Sequence, residues 1–357
     1  MRPETCQLSN ITCICENEAQ GRNDHCVLDS CTLPEALFTN NLTKTACKVP
    51  VRDRSAKFNI TILVLGTIAA STVGIRLIFK QFCSSRQRLG CDDWTILTAV
   101  PLGVTSIVLT IAGLTAHGLG QDLWGISQSD LKQFGIYFYI MQILYIVLMA
   151  QIKVTLCLFY LSIFSGTRIR YLLWGTVAFH VAFTMAFVIG IIFQCTPIRY
   201  QWDKYDFTNG PLRGGHCINI NAAGWANGAI SVASDIWLLA IPLSQIRQLK
   251  LHWKKKVGVA LMFLTGAIIT IVSVLRLRSI ARYASTANPT WDLWGIVLWS
   301  VIEVCSGLIC TCLPALRLLL LRIAPQVFGS ESMAHRYALL NSWASRKAIK
   351  LVKTNPS

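Results

Sequence analysis

Residues 134–164 read FGIYFYIMQILYIVLMAQIKVTLCLFYLSIF, thirty-one positions with one charged side chain, Lys153. A helix crosses a bilayer with roughly 20 apolar residues, so Phe134–Phe164 is long enough to tilt or to project beyond the hydrocarbon. A soluble helix keeps a polar face; this stretch has none. Six more stretches share its character: Phe58–Phe79, Trp94–Ala116, Tyr171–Phe193, Ala222–Leu243, Val257–Ile280 and Leu293–Leu313, the last with an apolar run-on to Leu321. The expected fold is an all-α membrane protein. A seven-transmembrane helix bundle occupies 58–321, a small disulfide-rich N-terminal ectodomain 1–57, and a basic cytoplasmic tail 322–357. No period of 20–50 residues repeats, which excludes a solenoid.

Composition agrees. Of 357 residues, 53% are hydrophobic and 14% charged, against about 25% charged in soluble domains. Lys and Arg number 33 against 17 Asp and Glu, a net +16. Such an excess fits either a nucleic-acid binder or a membrane protein with one basic face. The position of the charges decides. With the N-terminus outside, the inner loops and tail hold 18 cations against Asp92, Asp93 and Glu331, a net +15. The outer side holds 14 cations and 12 acids, and the spans keep Lys153, Asp235 and Glu303. This is the positive-inside pattern: N-terminus extracellular, C-terminus cytoplasmic, in a multi-pass protein of the plasma membrane. Its partner is the lipid bilayer and not nucleic acid. Arg276, Arg278 and Arg282 fall on the outer side and read as snorkelling anchors.

Three sequons, Asn10, Asn41 and Asn59, precede the first span. Asn59 opens that span, close to the membrane for a glycan, and Asn288 is blocked by Pro289. Cys6, Cys13, Cys15, Cys26, Cys31 and Cys47 form an even set in a polar segment, as a disulfide framework does. Cys13-Ile14-Cys15 has the wrong spacing for a zinc ribbon, so no metal is expected. Cys195 and Cys217 flank the loop between the fourth and fifth spans and are candidates for a bracing disulfide. Cys157, Cys305, Cys310 and Cys312 lie in spans and read as packing residues. Met1-Arg2-Pro3 leads into polar sequence with no secretory leader. The first span is therefore expected to act as a signal anchor, unless translation starts further upstream.

The spacing C-x6-C-x-C-x10-C-x4-C-x15-C, followed by Val49-Pro50-Val51-Arg52-Asp53-Arg54-Ser55, resembles the last six cysteines of the eight-cysteine CFEM domain of fungal extracellular membrane proteins. The remainder resembles the fungal rhodopsin-like seven-span family that often follows it. The resemblance is carried by Asp92-Asp93-Trp94, Gly118-Leu119-Gly120, Lys153, Gln194-Cys195, Trp202, Cys217, Asp235, Pro242, Glu303 and Cys312-Leu313-Pro314. It implies a receptor-like protein of a fungus that senses an extracellular cue. It also implies an alternative, because relatives such as the satratoxin-cluster type are encoded in mycotoxin (trichothecene-type) clusters: an accessory membrane component in transport or resistance. A heterotrimeric G protein is a partner by fold analogy alone. Two CFEM cysteines are absent. The aspartate that ligates haem in some CFEM domains aligns near Asn10, and an amide does not replace an anionic iron ligand; no cofactor is expected. A retinal pigment needs a lysine in the seventh span, and Leu293–Leu313 has none. Asp-Arg-Tyr is absent from the inner end of span three and Asn-Pro-x-x-Tyr from span seven, unlike animal-type receptors.

Charges inside a bilayer normally mark a pair or a function. Lys153, Asp235 and Glu303 sit inside spans three, five and seven, and His180 near the middle of span four. Lys153 lies 11 residues from Phe164 and Asp235 8 from Leu243, so their depths differ by roughly 5 Å. A lysine bridges that gap, and Lys153 is expected to pair with Asp235 or Glu303. The pair either fixes helix register or acts as a switch. Lys254-Lys255-Lys256 and a basic amphipathic stretch from Met333 to Val352 are expected to lie on the anionic inner leaflet. G-x-S-x-G, H-E-x-x-H and P-loop motifs are all absent, so no catalytic residues are assigned and no enzyme is expected.

Overall fold

The computed structural model describes residues 12, 15–16, 33–83, 90–203, 215–247, 253–283, 286 and 288–323. Helix α1 is Leu33–Ala46, and α2 is Ser55–Ile78, continued as a π-turn to Cys83. Next come α3, Cys91–Leu109, with its own π-turn to Thr115, then α4, Gln128–Ile163, and α5, Thr167–Ile192. The short α6 is Tyr200–Asp203. They are followed by α7, Ile220–Arg247, α8, Trp253–Tyr283, and α9, Pro289–Ile323. Seven of these helices, α2, α3, α4, α5, α7, α8 and α9, are long and apolar enough to cross a membrane. The seven expected spans are the seven observed ones.

Polar side chains set the ends. Ser127 caps α4, its Oγ accepting from the Asp130 amide at 3.2 Å, and Asn219 Oδ1 accepts from the Ala222 amide at 3.0 Å at the head of α7. Pro289 opens α9, where a missing N–H is harmless. The Ser127 cap starts α4 six residues before the apolar run begins. Its 36 residues reach about 54 Å, beyond a hydrocarbon core of about 30 Å. The projecting turn is held by Lys132, 3.1 Å from Asp203 of α6.

The core lies between α2, α3, α4 and α9, where Phe58, Ile62, Leu114, Phe134, Met141, Leu293 and Val297 pack together. A second cluster, Ala69, Ala99, Leu148, Ile152, Cys305 and Leu308, continues it toward the C-terminal face. Gly66 and Gly307 allow the close approach: a Cβ on Gly66 would stand 2.4 Å from Ile107 and one on Gly307 2.9 Å from Ile152.

On the N-terminal face, strands β1 (Cys195–Thr196) and β2 (His216–Cys217) pair antiparallel with Cys195 opposite Cys217. These two cysteines form the expected disulfide. Of the six N-terminal cysteines, Cys15 and Cys47 are bonded to each other; Cys6, Cys13, Cys26 and Cys31 lie outside the described residues, as do Asn10 and the stretch from Met333. Asn41 is exposed on α1, whereas Asn59 is half-buried inside α2.

The same face carries a clasp joining three distant segments. Arg52 binds Asp122 through its amide at 3.0 Å and its guanidinium at 2.6 Å. Asn288 Nδ2 donates to Asp122 Oδ1 at 2.7 Å, and the Leu123 amide donates to Asn288 Oδ1 at 3.0 Å. Arg52 and Arg54 lie over the Trp291 ring at 4.1 and 4.0 Å. Gly118 and Gly120, at φ +110° and +81°, make the turn that presents Asp122, in a region side chains with a Cβ rarely enter. Burial works to raise the Asp122 carboxyl, but the hydrogen bonds from Arg52 and the Arg52 charge, with Asn288, outweigh it and hold the carboxyl below its usual value. A carboxyl depressed on folding stabilises the fold at neutral pH and loses that contribution as pH falls through its folded value. Thermal melting of the wild type should therefore weaken progressively below about pH 4. Asp122→Asn should melt lower at neutral pH and respond less to acid; equal acid sensitivity in both would remove Asp122 as the cause.

Candidate functional site

Four helices meet through charged side chains at mid-bundle. Lys153 of α4 lies 3.0 Å from Asp235 Oδ1 of α7, and its Nζ also donates to the Ser231 carbonyl and hydroxyl, each at 3.0 Å. Arg276 of α8 donates to Glu303 Oε2 of α9 at 2.9 Å. Ser273 of α8 joins the two pairs, its Oγ standing 2.7 Å from Asp235 Oδ2 and 2.6 Å from Glu303 Oε1. Tyr145 of α4 closes the circuit by donating to Glu303 Oε2 at 2.7 Å, while the Arg276 guanidinium stacks 4.5 Å from its ring. The result is a closed ring through α4, α7, α8 and α9. Glu303 is 0% exposed, Arg276 3% and Lys153 5%, so each charge depends on its partner.

Of the two partners expected for Lys153, the structure selects Asp235. Arg276 corrects the charge assignment: it is not a snorkelling anchor on the outer side but a buried partner of Glu303. The signal was available, since Arg276 lies within the apolar run Val257–Ile280, one turn before its end. Ser273 and Tyr145 carried no charge to mark them. His180 is buried and shares a small cavity of about 20 Å³ with Lys153. Its Nε2 has no hydrogen-bond partner among the described residues, and its ring meets Phe179 edge-on at 5.5 Å.

A second charged knot lies at the opposite end of α2. Arg76, 1% exposed, binds Asp92 and Asp93 at 2.5 and 2.9 Å and donates to the Thr311 carbonyl of α9. Lys80, a quarter exposed, reaches the same two carboxylates at 2.8 Å. Arg76 and the two aspartates thus leave the inner-loop charge count and form a lock between α2, α3 and α9.

From the clasp to the level of the ring and beyond it runs a mostly apolar cavity of about 450 Å³, within the size range of ligand pockets. Ile62, Phe134, Phe138, Leu293 and Val297 line its walls, and Tyr145 and Arg276 bring the ring to it. Among the described residues, no group of three His, Cys, Asp or Glu side chains could hold a metal ion.

Lys153, Asp235 and Glu303, the aspartates under Arg76, the glycines of the clasp and the Cys195–Cys217 disulfide thus all take part in the architecture. A family model, the Fungal rhodopsin domain, matches residues 75–322. The chain belongs to the fungal rhodopsin family. Its match begins within α2 and does not include the N-terminal cysteines. Among curated relatives, this fungal rhodopsin is 32% identical over 207 residues to a SAT4 family membrane protein of Emericella nidulans, covering 56% of the chain and 50% of the relative. It is 24% identical over 267 residues to Receptor GIN3 of Arthrobotrys oligospora, covering 75% and 63%. It is 24% identical over 250 residues to Fugralins biosynthesis cluster protein 2 of Gibberella zeae, covering 65% and 60%. The chain therefore spans about half the length of the first relative and under two thirds of the other two. No solved structure matches it.

Proposed function

We propose that this fungal rhodopsin is a receptor-like protein of the plasma membrane, N-terminus outside and C-terminus inside. It senses an extracellular cue in its cavity and passes the signal inward by rearranging α4, α7, α8 and α9. The observation that carries the reading is the contact between cavity and ring: Tyr145 and Arg276 belong to both. A molecule in the cavity meets the charges that hold four helices in register, and buried pairs of this kind have discrete arrangements that suit a two-state element. The relative named as a receptor supports the same reading. A heterotrimeric G protein is the proposed inner partner, and the N-terminal cysteines are assigned to a partial CFEM-like ectodomain.

Orientation has a direct check. Asn41 is exposed on α1, on the face proposed to be outside. The wild-type protein should carry an endoglycosidase-sensitive glycan that Asn41→Gln reduces. An unglycosylated N-terminal segment with a protease-accessible C-terminal tag on intact cells would reverse the topology.

The relative from the fugralins cluster favours a second reading, an accessory membrane component of a secondary-metabolite pathway in transport or resistance. Deleting the gene and measuring both metabolite export and cue-evoked cAMP separates the two. The receptor reading expects a lost cAMP response with normal export; lost export with a normal cAMP response would reject it.

A further inference from the structure

The cavity holds polar groups that find no hydrogen-bond partner among the described residues. Gln194, 4% exposed, leaves its Nε2 donor unpaired, and Gln142 leaves its Oε1 acceptor unpaired; both side chains line the cavity. Buried groups left this way carry a desolvation cost that a bound molecule removes. Charge narrows the choice of molecule. Among the described residues that line the cavity, Arg276 carries the one charge, and its partner Glu303 is not part of the lining.

We infer that the cavity binds a lipid-soluble carboxylic acid, its apolar body against Phe134, Phe138 and Leu293 and its carboxylate at Arg276. A ligand that reaches the cavity from the bilayer would pass between α2 and α3. Ala70 of α2 and Val104 of α3 are exposed on the outer surface of the bundle, Val104 at 52%, and both also line the cavity. The guanidinium offers planar, charge-assisted donors suited to a carboxylate. The inference rests on the receptor reading in taking the cavity as the ligand site.

The test uses the full chain in phosphatidylcholine nanodiscs with radiolabelled dodecanoate and dodecanol as probes. Wild-type protein should bind dodecanoate saturably and about tenfold tighter than dodecanol, a difference of about 1.4 kcal/mol. Arg276→Gln protein that still elutes as a monodisperse peak should bind dodecanoate no tighter than the alcohol, while Arg276→Lys, which keeps the charge against Glu303, should keep part of the preference. Competition on the wild type needs no variant. Decanoate should displace dodecanoate; methyl dodecanoate and dodecyltrimethylammonium should not. Absence of saturable binding, equal affinity for acid and alcohol, or displacement by the ester as readily as by decanoate would overturn the inference. The receptor reading fails separately, by the deletion result given above, whatever the outcome with dodecanoate.

Discussion

Lys153→Ala is expected to lower the stability of the bundle by about 3–5 kcal/mol, because it strands Asp235 as a buried charge without its cation. Among the described residues, Ser273 is the other side chain that bonds to Asp235, and one hydroxyl does not replace an ammonium at 3.0 Å. The loss should appear as a lower melting temperature in detergent and a reduced monodisperse peak on size-exclusion chromatography. Lys153→Met combined with Asp235→Leu removes both charges at once. Replacing a buried pair by apolar side chains is often neutral or stabilising, so the double variant should recover most of the stability. If the ring also serves as the switch, the double variant should fold and yet fail to signal. Wild-type abundance and signalling in Lys153→Ala would reject both the stabilising and the switching role.

Arg76→Ala carries the other large expected effect. The side chain is 1% exposed and ties three helices, through Asp92 and Asp93 of α3 and the Thr311 carbonyl of α9. Its removal leaves two carboxylates with Lys80 as their cation among the described residues and takes a donor from the Thr311 carbonyl, again about 3–5 kcal/mol. Lys80→Ala should cost far less, about 1 kcal/mol, since the ammonium is a quarter exposed and Arg76 remains in place. Membrane abundance and melting of the two variants check the contrast; equal effects would mean that Arg76 is not the anchor of the knot.

The seven spans were legible because an all-round apolar run of this length has one use, and the structure places a helix over each. Lys153 was legible for the same reason: a lone charge in such a run needs a partner, and the spans hold two acids, Asp235 and Glu303. Arg76 and Arg276 lie inside the runs Phe58–Phe79 and Val257–Ile280 but near their ends, where a cation can snorkel, and so count with the flanking loops on sequence alone. What keeps them inside is a partner on another helix, Asp93 or Glu303, which the pattern within one helix does not show. The clasp was hidden for a related reason. Arg52 and Asp122 lie 70 residues apart, and Asp122 and Asn288 166 apart, and each looks like an ordinary loop residue until the fold brings them together. The cavity, a gap between helices, has no linear signature at all.

The most direct test of the receptor account fills that cavity. Ser300 of α9 lines it with a small, half-buried side chain, so Ser300→Phe should occupy the space and leave the ring intact. A gene-deleted strain carrying wild type or Ser300→Phe at matched membrane abundance is exposed to a panel of extracellular extracts, with cAMP and metabolite export measured in the same cultures. The account predicts at least one extract that raises cAMP through the wild type and not through Ser300→Phe, with export equal in both. Equal cAMP responses in both strains, with export lost in Ser300→Phe, would contradict it.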